Sequence, residues 1–198
     1  MMLSELSPVA QAALPVQAFK DHLRLGTGFA DDGAEDALAE AYLRAALAAI
    51  EARTGKAILA RDFRLELTDW RDDWAQALPV APVSAVVSVS LRDDTGATEM
   101  VDAARYALER DMHRPRLRSV GGYLPGVPAG GTVEVVFTAG FGPAWADVPP
   151  DLGQAVFLLA ASYHEHRHEG EKARAMPHGI AALIERWRNV RVLGGGAA

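Results

Sequence analysis

Leu43-Arg44-Ala45-Ala46-Leu47-Ala48-Ala49-Ile50-Glu51-Ala52-Arg53-Thr54-Gly55, followed shortly by Phe63-Arg64-Leu65-Glu66-Leu67-Thr68, decides the fold class. In the first run Leu43, Ala46, Leu47 and Ile50 fall at i, i+3, i+4 and i+7, one face of an α-helix. In the second run Phe63, Leu65 and Leu67 alternate with Arg64, Glu66 and Thr68, the pattern of a strand with one side in water. A chain that changes its apolar period so abruptly keeps helices and sheet in separate segments. That is an α+β protein.

Working outward, the helix spans 35–54. Asp32 stands three residues before Glu35 as a capping-box-like start, and Gly55 supplies the stop. Leu38, Tyr42, Ala45 and Ala49 add a second apolar stripe, so the helix packs on more than one side. Upstream, Pro15 opens a short helix over 15–24, with Phe19 and Leu23 one turn apart. Residues 1–14 are Ala-rich without a strong period and read as a weak helix or an ordered arm. Downstream, Val83, Ala85, Val87, Val89 and Leu91 alternate as a second strand, and Asp93-Asp94-Thr95-Gly96 is hairpin-turn chemistry. The segment 98–101 returns from that turn, 106–108 and 116–119 read as short strands, and 132–138 closes a β insertion over about 61–138.

The last third is helical again. A helix over 149–168 starts at Pro149-Pro150, with Asp147 as its candidate N-cap. Leu152, Ala155, Val156, Leu159 and Tyr163 form one stripe, while Phe157, Leu158 and Ala161 fill other sides. A charged linker begins at 171, and Pro177 opens a final amphipathic helix carrying Ile180, Leu183, Ile184 and Trp187, followed by Val190, Val192 and Leu193. The expected architecture is a helical bundle with an inserted antiparallel sheet over 1–170, then a linker and C-terminal helical arm over 171–198. So short a helix is marginal alone in water. It needs a groove on its own domain or on another chain, and the pattern leaves both open.

Composition bounds the function. The 198 residues hold no cysteine, which removes disulfides, thiolate nucleophiles and iron–sulfur clusters. The net charge of −6 disfavours stable wrapping of nucleic acid, although a local basic patch is compatible with it. The longest apolar run, Ala155 to Ala161, is far short of the roughly 20 residues of a membrane span. With no signal-like N-terminus, the expected compartment is the cytoplasm.

One catalytic motif needs weighing. His164-Glu165-His166-Arg167-His168 matches H-E-x-x-H, in which two imidazoles one turn apart hold zinc and the glutamate acts as base. A zinc-dependent hydrolase is therefore the alternative reading, with Glu185 or His178 as third ligand. Against it, the motif sits on a helix end, where histidines and arginines compensate the helix dipole. Gly140-Phe141-Gly142 lacks the third glycine of a phosphate-binding turn. Asp72-Asp73 and Asp93-Asp94 read as turn residues, and Trp70, Trp74 and Trp145 as core or interface anchors. No cofactor or metal is expected.

The order of the pieces carries a resemblance. A helix ending Ile50-Glu51-Ala52-Arg53-Thr54-Gly55-Lys56-Ala57 precedes the strand 63–67 and Trp70. Leu78-Pro79-Val80-Ala81-Pro82-Val83, a Tyr106 segment and Val135-Val136-Phe137-Thr138-Ala139-Gly140-Phe141 follow. Val148-Pro149-Pro150-Asp151-Leu152 then leads into a helix ending Tyr163-His164-Glu165-His166-Arg167. This order resembles the head-to-tail connector (adaptor) proteins of long-tailed phages, and within them the adaptors of gene transfer agents, phage-derived particles that package host DNA. The resemblance implies a dodecameric ring below the portal protein, a stopper or tail platform beneath it, and a conduit for packaged DNA without sequence-specific binding, membrane or catalysis. It also implies assembly in the producing cell's cytoplasm before incorporation into the particle. The C-terminal arm, with Ile180, Leu183, Ile184, Trp187, Val190, Val192 and Leu193, would dock on the portal with Trp187 as anchor. On this expectation a chain cut at Pro177 folds but does not dock.

Overall fold

The computed structural model describes residues 1–23, 34–167 and 176–189. Two apolar cores divide the α+β chain between them, one among helices and one between sheets. Elements follow in the order β1 (Met2–Glu5), α1 (Val16–His22), α2 (Ala34–Thr54), β2 (Arg61–Leu67), β3 (Ala75–Ala77), β4 (Val83–Arg92), β5 (Thr98–Met100), β6 (Tyr106–Glu109), β7 (Arg116–Ser119), β8 (Thr132–Ala139), α3 (Pro150–Glu165) and α4 (His178–Ile184), which a 3-10 turn, Glu185–Trp187, extends.

The helical core forms because α2 and α3 each present a stripe too apolar for water. Leu43, Ala46, Leu47 and Ile50 of α2 are buried against Leu152, Ala155, Val156, Leu159 and Ala160 of α3, and Phe19 of α1 closes one end. Burial of one such side chain contributes about 1.5–3 kcal/mol. The second stripe of α2 is only partly covered: Tyr42 and Ala49 pack at the core margin, whereas Leu38 and Ala45 are exposed. Asp32 lies outside the described residues. Asp147 is not the N-cap of α3, a place taken by Pro149. Its Oδ2 instead accepts the Ala144 N–H at 3.0 Å, closing the turn before the helix.

The β core is two antiparallel sheets packed face to face, one ordered β1-β2-β8-β4-β5 and the other β3-β7-β6. The strict alternation of β2 becomes its register on β8: Phe63 opposes Phe137, Leu65 opposes Val135 and Leu67 opposes Val133, all buried. The two phenyl rings stack at 5.8 Å. Two expectations need correction. The N-terminal residues, read as a weak helix or an ordered arm, hold an edge strand, β1 on β2, where the sheet offers unpaired backbone, followed by a single 3-10 turn at Gln11–Ala13. In β4 the alternation through Ala85 and Val87 fails. Register shifts between Val83 and Ala85 and between Val86 and Ser88 put Val86 opposite Phe137 and leave Val87 57% exposed. Each extra residue turns the following side chains to the other face.

Gly140, after β8, shows why the Gly-Phe-Gly stretch exists. Its φ is +135°, and an added Cβ would lie 2.4 Å from the backbone of Ala60. There the chain crosses the connection between α2 and β2, with Gly140 N–H donating to the Pro82 carbonyl and Ala60 N–H to the Gly142 carbonyl. Lys56, in the same connection, is buried. Its Nζ donates to the Met112 carbonyl at 2.6 Å and lies 3.1 Å from His113 Nδ1. Burial pulls the Lys56 pKa down to about 8 although the Asp111 charge opposes it.

Gly140→Ala should lower the folding free energy by about 2–4 kcal/mol in urea denaturation, through the left-handed φ and the Ala60 clash, while Gly126→Ala, which meets nothing, stays within about 0.5 kcal/mol. Lys56 also sets a pH dependence. Its folded pKa lies below the unfolded value, so between pH 8 and 10.5 the unfolded chain binds more protons and this group's contribution to stability rises with pH. The urea midpoint of the wild type relative to Lys56→Met should therefore increase across that window, and a flat difference would refute the burial effect.

Candidate functional site

Among the described residues, those of the H-E-x-x-H motif do not come together with other ligands as a metal site. His164 and Glu165 occupy the last turn of α3, and His164 meets the Tyr42 ring edge-on at 5.8 Å. His166 is the C-cap, with Nδ1 2.9 Å from the Ser162 carbonyl oxygen. His168 lies outside the described residues. Glu185 is engaged by Arg188 at 3.0 Å. Among the described residues no three His, Asp or Glu side chains come together as metal ligands. The paired aspartates do turn work: Asp72 Oδ1 accepts the Trp74 N–H at 2.8 Å, and Asp93 Oδ1 accepts the N–H groups of Thr95 and Ala97 at 2.9 Å.

The front of the C-terminal arm is folded onto its own subunit. Ile180, Ile184 and Trp187 belong to the helical core, Leu183 packs at its edge, and α4 lies along α3. Trp187 is 9% exposed. Its Nε1 donates to Asp151 Oδ2 at 2.8 Å, and Arg186 Nε meets the same oxygen at 2.8 Å. Asp151 sits in the first turn of α3, where the helix dipole favours a carboxylate. The Phe141 ring stands edge-on to Trp187 at 5.3 Å. The indole thus fills a socket of its own chain, and a cut at Pro177 would remove three residues of the helical core, Ile180, Ile184 and Trp187. Val190, Val192 and Leu193 lie outside the described residues.

Three surfaces remain open. The first is the β1 edge, with Met1, Met2, Leu3 and Leu6 exposed. Arg61 holds it in place: Nη2 reaches Glu5 Oε1 and Glu51 Oε2, each at 2.7 Å. Burial alone would lower the Arg61 pKa, but the hydrogen bonds and charges of Glu51 and Glu5 outweigh it and push it up. The second is the tilted ring pair of Trp74 and Tyr123, 4.5 Å between centroids and 54% and 62% exposed. Trp70, by contrast, is buried and donates to the Pro125 carbonyl, and Trp145 is partly buried, stacked on Phe157. The third is the outer face of the small sheet, where Arg116 and Arg118 of β7 point away from buried Leu117. Alternation around Leu117 was the signal for that face, and the cluster Arg105, Arg110, Arg114, Arg116 and Arg118 was visible in the sequence. Among the described residues no helix is long and apolar enough to cross a membrane.

Trp187→Ala should destabilise the chain by about 3–5 kcal/mol in urea unfolding, the cost of an emptied aromatic socket. Leu183→Ala, at the margin, should cost less than half of that.

No protein-family model and no curated protein matches the chain. Solved structures do. The chain is similar to one in the neck of an empty gene transfer agent particle computed with C6 symmetry, at 59% identity and a TM-score of 0.90. It is similar to a chain in the virion of a native gene transfer agent particle, at 59% identity and a TM-score of 0.87. A third similarity is to a chain in the neck of a native particle computed with C12 symmetry, at 54% identity and a TM-score of 0.84. Each alignment covers 98% of this chain and 99% of the other. Identity of this order along the full length, with the same fold, places the chain in the family of gene transfer agent head-to-tail connectors, the structural proteins of the particle neck.

Proposed function

We propose that this chain is the head-to-tail adaptor of a gene transfer agent. Twelve copies form a ring beneath the portal, join the DNA-filled head to the stopper and tail, and leave a channel through which DNA passes. The observation that carries this reading is the full-length similarity to neck chains solved with C6 and C12 symmetry. The physics agrees with it. A subunit of net charge −6 gives a channel wall that repels phosphates, so DNA slides rather than sticks. A ring needs two different faces on each copy, and this subunit keeps several partly apolar surfaces uncovered, at the β1 edge, at Trp74 and Tyr123, and at Leu38. The chain does no chemistry in this role. It is made in the cytoplasm of the producing cell and retained in the particle.

The C-terminal arm has two parts in this proposal. α4, through Ile180, Ile184 and Trp187, roots the arm on its own subunit, while Leu183 and the chain beyond Asn189, with Val190, Val192 and Leu193, meet the portal.

Deleting the chain from a producing strain should give DNA-filled heads without tails in cryo-EM images; tailed particles in normal yield would refute the adaptor role. The arm has its own test. A chain ending at Asn189 should unfold at the same urea concentration as the full chain yet bind purified portal at least tenfold more weakly, since a hydrophobic segment of this size contributes well over 1.4 kcal/mol. A chain ending at Met176 should already be destabilised. Unchanged portal affinity for the chain ending at Asn189 would remove the outer arm from the contact.

A further inference from the structure

The small sheet turns a basic face outward. Across it, Arg118 of β7 lies between Ala75 of β3 and Ala107 of β6, and Arg116 lies between Ala77 and Glu109. Ala75, Ala77 and Ala107 are short, so Arg116, Arg118 and Glu109 are the long side chains of this face. The Arg118 side chain is 61% exposed even with Nη1 3.3 Å from Glu109 Oε2. Arg105 and Arg110, at either end of β6, are exposed as well. Arg116 and Arg118 thus form the basic pair of this face, while Arg110 Nη2 turns to the Ser84 carbonyl of β4 and Arg114 Nε to Asn189 Oδ1, in a chain whose net charge is −6. The Trp74–Tyr123 pair adjoins this face through the end of β7, where the Ser119 N–H donates to the Trp74 carbonyl. Exposed aromatics beside arginines are the composition of interface centres.

The β4–β5 hairpin has the opposite composition. Asp93, Asp94, Glu99 and Asp102 cluster there with Arg92, and residues 94–100 are all exposed. Hydrogen bonds from the Thr95 hydroxyl and the Thr95 and Ala97 N–H groups to Asp93 Oδ1 hold the tip rigid. Met100, 63% exposed, adds an apolar side chain to the acidic group, and β5 is the free edge of its sheet.

Copies that each carry −6 repel one another, so a ring of identical chains needs a contact at which local charge reverses sign. We propose that the acidic β4–β5 hairpin of one copy seats on the arginine face of the small sheet of the next copy, with Met100 against Trp74 and Tyr123. This rests on the ring reading above and names its side-to-side contact. A second copy fits the face better than nucleic acid does. Among the described residues only two arginines, Arg116 and Arg118, stand on the face, and one of them is already paired with Glu109, too few contacts for a phosphate backbone to hold. The complementary hairpin, in contrast, is supplied by every subunit.

The chain has no cysteine, so introduced thiols report unambiguously. A Glu99→Cys/Arg118→Cys double variant, oxidised in assembled particles, should run as a ladder of cross-linked copies longer than a dimer on a non-reducing gel, and either single variant should give none. Charge reversal supplies the second arm. Arg116→Glu/Arg118→Glu and Asp94→Lys/Glu99→Lys should each lower the yield of complete necks at least tenfold, and the quadruple variant should restore it to within about threefold. Circular dichroism of each purified variant confirms that it folds. Necks that contain the chain but give no ladder and no restoration overturn the pairing while leaving the ring reading intact. Complete necks with Arg116→Glu/Arg118→Glu that leak DNA also overturn it, since the arginines would then face nucleic acid. Wild-type chain missing from purified necks would overturn the ring reading itself, and the pairing with it.

Discussion

The Glu51 carboxylate joins the two cores of this molecule. It sits one turn from the end of α2, the helix that centres the helical core, and reaches into the connection that starts the sheet. Oε1 accepts the Ile58 N–H at 2.7 Å and Arg61 Nη1 at 3.0 Å, while Oε2 accepts Arg61 Nη2 at 2.7 Å. The same guanidinium holds Glu5 and so fixes the β1 edge strand. A paired charge in this position owes its worth to geometry rather than to net energy, because desolvation offsets most of the attraction. Its effect is to set the angle at which the chain leaves α2. Once that angle is set, Gly140 can cross Ala60 and α3 can return alongside α2. Removing one partner would strand a charge in a largely buried site.

The helical core and the central strands were legible in the sequence because their apolar periods are unambiguous. Leu43, Ala46, Leu47 and Ile50 describe one helix face, and Phe63, Leu65 and Leu67 one sheet face; both are buried as their spacing requires. The β4 strand was misread for a physical reason. Val86 and Val87 are adjacent and identical, so the sequence offers no contrast by which to place the bulge between them. The β1 strand was missed because its pairing is decided by the edge of β2, not by its own four residues. The small sheet escaped notice as a unit because β3, Ala75–Ala77, has almost no pattern to read.

The C-terminal helix marks the limit of pattern reading more sharply. The spacing of Ile180, Leu183, Ile184 and Trp187 says that a groove exists without saying whose. What decides the matter is Asp151, far away in sequence, whose Oδ2 receives both the indole N–H and Arg186. An indole with its hydrogen bond satisfied and a phenyl ring edge-on has little to gain by leaving. The H-E-x-x-H motif teaches the converse. His164 and Glu165 lie in the last turn of α3, where His164 meets Tyr42, and His166 caps the helix end. A motif of five positions cannot carry chemistry unless other elements bring the remaining groups to it.

Charge and apolarity are distributed unevenly over this subunit, and the unevenness matters more than the totals. A uniformly acidic surface with the same net −6 would keep copies apart and give no preferred orientation between them. Here Arg116 and Arg118 of β7 lie on one face of the small sheet, and the aspartates of the β4–β5 turn lie at an edge of the large one. Two unlike patches on one chain favour a head-to-tail contact over a two-fold one, since a two-fold axis would bring each patch onto its own copy. Head-to-tail contacts with rotation close into rings. Exposed ion pairs are individually weak and screened by salt, so they choose partner and register rather than supply the holding energy. That energy has to come from apolar surface, which Trp74, Tyr123 and Met100, all exposed, would supply in the proposed pairing.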